Sequence, residues 1–212
     1  RVSRVVFYKD QLYVAGQFSW EVSGGQDIAR LTNQGWELVG GGLHGGLANV
    51  FDMEVYKGEL YICGYFSKWD GNVGNKIMRW DGQEWHEVGN GFCSPNITAT
   101  EMMVHNGKLY VVGNFDCVEN DIPASKIAVW DGERWCNLGN SYFNNTISCI
   151  AAYKDEIYVG GGFTEVGGQP CRSLAKWVGD ESSIICSDPV SSAFEAETNN
   201  LKLWPNPARE TL

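Results

Sequence analysis

The chain has 212 residues and a formal net charge of −10 at pH 7, which argues against nucleic acid or an anionic membrane surface as a partner, because both attract basic proteins. Its 26 Gly and its nine each of Trp, Tyr and Phe are typical of many short strands joined by Gly-rich turns. No run of residues is long and apolar enough to predict a helix that spans a bilayer.

One sequence pattern recurs four times, at intervals of about 49 residues. Each copy contains a Tyr, a Gly and a Phe at fixed spacing. These residues are Tyr13, Tyr61, Tyr110 and Tyr158; Gly16, Gly64, Gly113 and Gly161; and Phe18, Phe66, Phe115 and Phe163. Three positions kept in register over four copies indicate an internal repeat. We divide the chain accordingly into unit 1 (about 2–47), unit 2 (48–97), unit 3 (98–146) and unit 4 (147–187).

Each unit is predicted to contain four strands, which we name a, b, c and d in chain order. In unit 2 they are MEVY, ELYICGYF, KIMRW and EWHEVG. The connections a–b and c–d are short, as in Lys57-Gly58 and Asp81-Gly82, and predict hairpins. Four antiparallel strands in a repeat of about 50 residues are the signature of a β-propeller blade. We therefore predict an all-β fold over 1–181, with four blades visible and further blades expected in a larger propeller.

The long connections b–c and d–a should all lie on one face, because antiparallel strands reverse direction at every turn. We call this the long-loop face and expect any binding site there, since function concentrates on loops held by a rigid scaffold. Its aromatic rings can stack on a sugar or hold a peptide, or else pack over the blade ends. The candidate ligand-binding residues are Trp20, Trp69, Asp70, Phe92, Glu119, Asp121 and Phe143.

One long loop, DGNVGN from Asp70 to Asn75, carries side-chain oxygens at Asp70, Asn72 and Asn75. Carboxylate and amide oxygens are ligands of Ca²⁺, so these three residues form a weak candidate calcium site. The loop lacks the EF-hand spacing, and clusters of Asn, Asp and Gly also form turns without any metal. We expect no other cofactor.

Seven cysteines in a chain of this composition fit an oxidising, exported environment, and the odd number leaves at least one thiol unpaired. In two of the expected pairs, one cysteine lies at the start of a unit or just before it, and the other lies in the b–c loop of the same unit. In the third pair both cysteines lie near strand d. The expected disulfides are Cys93–Cys117, Cys149–Cys171 and Cys136–Cys186. Cys63, inside strand b, is expected to be a buried free thiol. Unpaired buried cysteines are the alternative throughout, because a sequence alone does not fix the connectivity.

The blade pattern, IAxWDGxxW followed by LGxG and LYVxGxF, resembles the kelch-like propeller repeats of exported proteins over about 2–180. A linker is predicted at 182–200, and the stretch 201–212 then reads LKLWPNPARETL. This stretch resembles the start of the type A C-terminal sorting domain of the type IX secretion system of Bacteroidetes, with Trp in place of the usual Tyr. The matching residues are Leu203, Trp204, Pro205, Asn206, Pro207 and Ala208.

The second resemblance implies export across the outer membrane. It also implies that the secretion machinery, including its outer-membrane barrel components, recognises the tail. The family's domain continues for some tens of residues beyond the part that is matched here.

The sequence contains no nucleophile elbow, phosphate-binding loop or HExxH motif, and its three His lie at different places in the repeat. We therefore expect a secreted or cell-surface binding or adhesion module for a glycan or a protein. The alternative is a carbohydrate-active or other hydrolytic propeller enzyme with its site on the long-loop face. In a third interpretation the propeller is simply a passenger of the secretion system.

Overall fold

The computed structural model describes residues 1–19, 26–93, 97–119, 122–138, 142–177, 184 and 186. These residues form an all-β structure of small antiparallel sheets, as predicted, with two short 3-10 helices in loops at Val39–Gly41 and Lys68–Asp70. Among them, no helix combines the length and hydropathy that a membrane crossing requires. The predicted linker lies outside the described residues except for two positions, and the stretch 201–212 lies outside them entirely.

Units 1 and 2 each fold into a four-stranded antiparallel sheet in which strands pair in chain order. The strands of unit 1 are β1 (Val2–Tyr8), β2 (Gln11–Ser19), β3 (Gln26–Thr32) and β4 (Gly35–Leu38). The strands of unit 2 are β5 (Asn49–Tyr56), β6 (Glu59–Tyr65), β7 (Ile77–Trp80) and β8 (Trp85–His86). Predicted strands a to d are therefore neighbours in both sheets.

Units 3 and 4 add a two-stranded ladder within the b–c loop, which the sequence did not predict. Unit 3 has β9 (Thr98–His105), β10 (Lys108–Asn114), the ladder strands β11 (Cys117–Val118) and β12 (Ile122–Pro123), then β13 (Ile127–Trp130) and β14 (Trp135–Cys136). Unit 4 has β15 (Ile147–Tyr153), β16 (Glu156–Gly161), the ladder strands β17 (Glu165–Val166) and β18 (Gln169–Pro170), and β19 (Leu174–Trp177). Its sheet has three described strands, because the predicted strand d, SSIICS, falls mostly outside the described residues.

The tight turns explain several repeated residues. Both residues of the a–b turn have a positive φ in unit 1 (47° and 59°) and in unit 2 (48° and 80°), which suits the twist of a two-residue hairpin. In the c–d turn, Asp81 Oδ1 accepts the backbone N–H groups of Gln83 (2.7 Å) and Glu84 (2.9 Å). Asp131 caps the equivalent turn of unit 3 in the same way. The repeated Asp of the WDG motif is thus a turn former.

Strand a of every unit carries a bulge near its start, opposite the repeated Gly of strand b. A Cβ atom added to Gly64 would lie 2.1 Å from the carbonyl oxygen of Asn49, and the other three repeated glycines are equally confined. In unit 3 the bulge residue Thr100 donates its hydroxyl to Ile147 O of unit 4 (3.0 Å). The glycines therefore recur because strands a and b of the same unit approach closely at this position.

The apolar core consists of three clusters, each shared by two successive units. The indole of Trp85 donates to Val39 O of the preceding unit (3.2 Å), and that of Trp135 donates to Val88 O (3.1 Å). The aromatic residues Trp80 and Trp130, which end strand c, are buried in the same interfaces. The prediction that the repeated Trp residues pack between units is confirmed.

Candidate functional site

The loops of neighbouring units are joined by the side chain of Asn72. Its Oδ1 accepts the N–H of His44 (2.9 Å), and its Nδ2 donates to His44 O (2.9 Å) and to Ser67 O (3.0 Å). A Cβ on Gly45 would lie only 3.0 Å from Asp70 Cβ, so the two loops are in close contact. The d–a loop of unit 1 and the b–c loop of unit 2 therefore form one continuous surface.

Trp69 stands out on this surface because its side chain is 96% exposed. It lies on the 3-10 helix Lys68–Asp70, which is closed at both ends by hydrogen bonds. Ser67 Oγ donates to Asp70 Oδ2 (2.5 Å), and Asn75 Oδ1 accepts the N–H of Lys68 (2.9 Å). A large ring in water on a turn fixed by several hydrogen bonds is preorganised to stack on a ligand.

The surroundings of Trp69 combine polar and apolar groups. His44 and Asp70 are exposed on the two loops that Asn72 joins. Leu47 and Val73, from the same two loops, are also exposed. We call this set, Trp69 with His44, Leu47, Asp70 and Val73, the Trp69 surface. Sequence reasoning identified Trp69 and Asp70 but missed the two aliphatic residues, which carry no motif.

The predicted calcium ligands have other roles. Asn72 is buried and its amide is fully engaged by backbone groups, while the oxygen of Asn75 accepts a backbone N–H. Asn72 and Asn75 thus stabilise the DGNVGN loop as a hydrogen-bonded turn, and the weak calcium assignment stays a prediction.

Two of the predicted ligand-binding aromatics are buried. Phe92 packs against Phe115 (ring centroids 4.4 Å apart), and Phe143 packs against Phe163 (4.9 Å). Each forms a β-bridge to the unforeseen ladder in the following b–c loop. Their rings are therefore not available to a ligand, and the alternative interpretation, packing over the end of the sheet, is correct for both.

The remaining predicted site residues are placed as follows. Glu119 is half-buried, and its backbone N–H donates to Gly91 O (2.7 Å), so it belongs to the contact between loops. Other predicted site residues lie outside the described residues: Trp20, Asp121, Leu203, Trp204, Pro205, Asn206 and Pro207.

The structure contains the disulfides Cys93–Cys117 and Cys136–Cys186, with Cα atoms 5.7 Å and 4.1 Å apart. Two disulfides suggest an oxidising environment. Cys63 is a buried free thiol, and burial raises its pKa well above the usual range.

The expected disulfide between Cys149 and Cys171 is absent, because both of these cysteines are free. The two β-bridges align Cys93, which precedes unit 3, with Asn144, which precedes unit 4, whereas Cys149 lies further along, inside strand β15. Asn144 makes the equivalent connection by accepting the N–H groups of Thr164 (2.9 Å) and Glu165 (3.1 Å). The b–c loop of unit 4 is thus held by the Asn144 side chain, whereas the b–c loop of unit 3 is held by the Cys93–Cys117 disulfide.

Two acidic residues that sequence reasoning overlooked link successive units. The carboxylate of Asp52 accepts one hydrogen bond from Arg4 Nε of unit 1 (2.5 Å) and another from the N–H of Met102 of unit 3 (2.7 Å). Glu101, at the equivalent position of unit 3, accepts the N–H of Ile150 (2.9 Å) from unit 4. The recurrence of an acidic residue directly after the strand a bulge was the available signal. Both carboxylates are occupied by these contacts and have a structural role.

Two groups among the described residues have ligand atoms close enough to hold a metal ion. One includes the sulfur atoms of the Cys136–Cys186 disulfide, which do not ligate as thiolates. In the other, His86 Nε2 lies 2.8 Å from Asp81 Oδ2, and the pKa of Asp81 is held below its usual range by His86 and by two backbone N–H groups. Asp81 is already committed to capping its turn, so neither group is a convincing metal site.

No protein-family model matches the chain, and no curated protein matches it either. The residues of the Trp69 surface therefore carry the functional conclusion.

Proposed function

We propose that this protein is an exported, non-enzymatic binding module, and that it binds a glycan at the Trp69 surface. The observation that carries the proposal is the almost fully exposed ring of Trp69 on a turn held by hydrogen bonds. Exposing a ring of this size to water is unfavourable, and a ligand that covers the ring removes that cost.

A glycan suits the chemistry of this surface. Sugar rings present an apolar face to a flat aromatic group and hydroxyls to the groups around it. His44 and Asp70 supply a hydrogen-bond donor or acceptor and an acceptor beside the ring. A protein ligand is the second candidate, because exposed Leu47 and Val73 extend the surface with apolar area of the kind found at the centre of protein interfaces.

We propose further that the four units are blades of a β-propeller. Successive antiparallel sheets, each sharing an apolar cluster with the next, support this architecture. A propeller carries its ligand on loops that a rigid core holds in place. This arrangement agrees with the network that joins the d–a loop of unit 1 to the b–c loop of unit 2.

Export by the type IX secretion system, with recognition of the tail by its outer-membrane barrel components, is the third part of the proposal. The resemblance of the stretch 201–212 to a sorting domain supports it, and the two disulfides fit an exported protein. Deleting 201–212 in a Bacteroidetes host should leave the protein in the periplasm. Unchanged delivery to the surface or the medium would refute this part alone.

The binding proposal is tested by comparing three proteins on an array of immobilised glycans, followed by calorimetry with each hit. Trp69→Ala should weaken binding by roughly 30-fold, because truncating a central aromatic contact commonly costs about 2 kcal/mol. Tyr142→Ala is the matched control, since it removes an exposed aromatic ring from a long loop that leads into unit 4.

Equal affinity of the Trp69→Ala variant and the wild type for every bound glycan would refute the site. Cleavage of a bound glycan by the purified chain, as a hydrolase or a lyase, would instead support the enzymatic alternative.

A further inference from the structure

We propose that the chain associates head to tail with a second copy of itself, so that unit 4 of one copy covers unit 1 of the other. The contact would be the one that already joins successive units within the chain. Among the described residues of a single copy, both halves of this contact expose apolar side chains, one on unit 1 and one on unit 4.

In two of the three contacts between successive units, one half is a Tyr at the end of strand a, and unit 3 has His105 at this position. Tyr8 of unit 1 donates its hydroxyl to Gly58 O (3.1 Å) and Trp80 O (3.2 Å) of unit 2. Tyr56 of unit 2 likewise donates to Gly107 O (2.8 Å) of unit 3. The Tyr thus inserts between two strands of the next unit, at their a–b and c–d turns.

The residue after this Tyr is a Lys that reaches the c–d turn of the next unit. Lys9 donates to Asp81 O, and Lys57 donates to Asp131 O (2.6 Å). In both cases the ammonium group also lies over the ring of the preceding Tyr, 5.2 Å and 5.4 Å from its centroid. Tyr and Lys therefore act together as a two-residue connector between units.

Unit 4 has the same connector, Tyr153 and Lys154, in an exposed position. Tyr153 is 61% exposed, whereas Tyr8 and Tyr56 are buried. Lys154 lies over the Tyr153 ring at 5.2 Å, as Lys9 does over Tyr8, so the pair is already arranged for docking. The same face of unit 4 exposes 47% of Leu174, although its counterparts in strand c of units 1, 2 and 3 are buried.

Unit 1 presents the other half of the contact. Val5 is 56% exposed, whereas Met53, its counterpart in unit 2, is 2% exposed. Leu31 and Trp36 are exposed too, although the positions equivalent to Leu31 in units 2 and 3 are the buried Trp80 and Trp130. This face is therefore an apolar patch of the kind that the next unit along the chain buries.

A polar cleft crosses the same face between the two turns of unit 1. Its lining consists of Lys9, Asp10, Gln11, Leu31, Thr32, Asn33, Gln34 and Glu37. The pairing registers make Asp10 and Leu31 the counterparts of Gly58 and Trp80, whose carbonyls receive Tyr8. Thr32 is likewise the counterpart of Asp81, whose carbonyl receives Lys9.

The geometry thus positions acceptors in unit 1 for both members of the unit 4 connector. The Tyr153 hydroxyl would donate to the carbonyls of Asp10 and Leu31, and Lys154 would donate to that of Thr32.

Because the two faces differ, the contact is heterologous, and it generates a closed ring or an open chain of copies. The mass of the full chain in solution, measured by light scattering and sedimentation over a wide range of concentrations, is the first test. We expect species at multiples of 23.5 kDa whose proportion rises with concentration. A mass of 23.5 kDa at all concentrations would overturn the proposal.

Two blocked variants test the head-to-tail arrangement itself. Leu31→Glu places a charge on the unit 1 face, and Leu174→Glu places one on the unit 4 face. Each variant alone should remain at 23.5 kDa, whereas an equal mixture should form a complex of twice that mass, because one intact face of each kind remains. Failure of the mixture to associate would contradict the arrangement.

Tyr142→Glu is the matched control, since it alters an exposed apolar residue in the loop between units 3 and 4, outside the strands of both faces. Association should be unchanged in this variant, and its loss would indicate non-specific apolar contact instead. Tyr153→Phe removes a single hydroxyl without risk to the fold and should weaken association about fivefold, the effect of one hydrogen bond of about 1 kcal/mol. Wild-type association of Tyr153→Phe would show that the connector is not used.

Discussion

Replacing Asp52 by Ala should destabilise the protein more than the loss of any surface charge. The Asp52 side chain is 5% exposed and contacts three units at once: Arg4 of unit 1, its own backbone in unit 2, and Met102 of unit 3. Its carboxylate therefore connects the strands a of three successive units. We expect the free energy of unfolding to fall by about 4 kcal/mol.

The magnitude follows from the groups that the substitution leaves without partners. The buried N–H groups of Met53 (2.8 Å from Asp52 Oδ1) and Met102 (2.7 Å from Oδ2) both lose their acceptor. Each unsatisfied buried N–H costs about 1–3 kcal/mol. Arg4 keeps only a 3.4 Å contact with Glu101, but it is partly exposed, so water compensates much of its loss.

Unfolding in urea, followed by Trp fluorescence, measures this effect, and Glu87→Ala is the matched control. The Lys68–Glu87 pair has the same 2.5 Å separation as Arg4–Asp52, but Glu87 is 45% exposed. Exposed pairs contribute at most about 1 kcal/mol, so the control should be nearly as stable as the wild type. Equal losses in the two variants would refute the reasoning that burial, and not distance, decides the energy.

Three further predictions concern single side chains. Burial raises the pKa of Asp27 from 3.8 to about 6, so its contribution to stability is full below pH 3.8 and is lost as the pH rises through about 6. Asp27→Asn should therefore raise the free energy of unfolding at pH 8 by about 3 kcal/mol, which is seen as a higher melting temperature. At pH 3.5 the substitution should change the melting temperature little. Replacing Cys93 and Cys117 by Ser opens a loop of 24 residues and should lower the free energy of unfolding in urea by about 3 kcal/mol. Iodoacetamide should modify exposed Cys149 in the folded protein but buried Cys63 only after unfolding, as peptide mass mapping would show. An unchanged melting curve of Asp27→Asn at pH 8 would contradict the first prediction, and an unchanged urea midpoint of the Ser variant would contradict the second. Labelling of Cys63 in the folded protein would contradict the third.

The sequence predicted those parts of the fold that depend on short-range patterns. The strands, the two-residue hairpins and the packing role of the repeated Trp residues follow from spacing and residue type within one unit. The repetition of Gly64 indicates a position without room for a side chain, but it does not indicate that the carbonyl of Asn49 is what confines it.

The errors arose where tertiary contacts decide the environment. Phe92 and Phe143 lie in loops, where an aromatic ring is expected to be exposed, but a ladder too short to carry a strand signal covers both of them. Cys149 was paired by its position in the repeat, although it lies inside strand β15 and not in the preceding loop. Asp52 and Arg4 are 48 residues apart, and nothing local in the sequence indicates that they meet.

The central claim, that the Trp69 surface binds a ligand, is tested most directly by the indole N–H signals of the ¹⁵N-labelled protein. The signal of Trp69 is assigned from its loss in Trp69→Phe, and soluble polysaccharides are then titrated into the wild type. We predict that the Trp69 signal shifts on binding while that of buried Trp135 stays in place. Binding that leaves the Trp69 signal unmoved would contradict the claim.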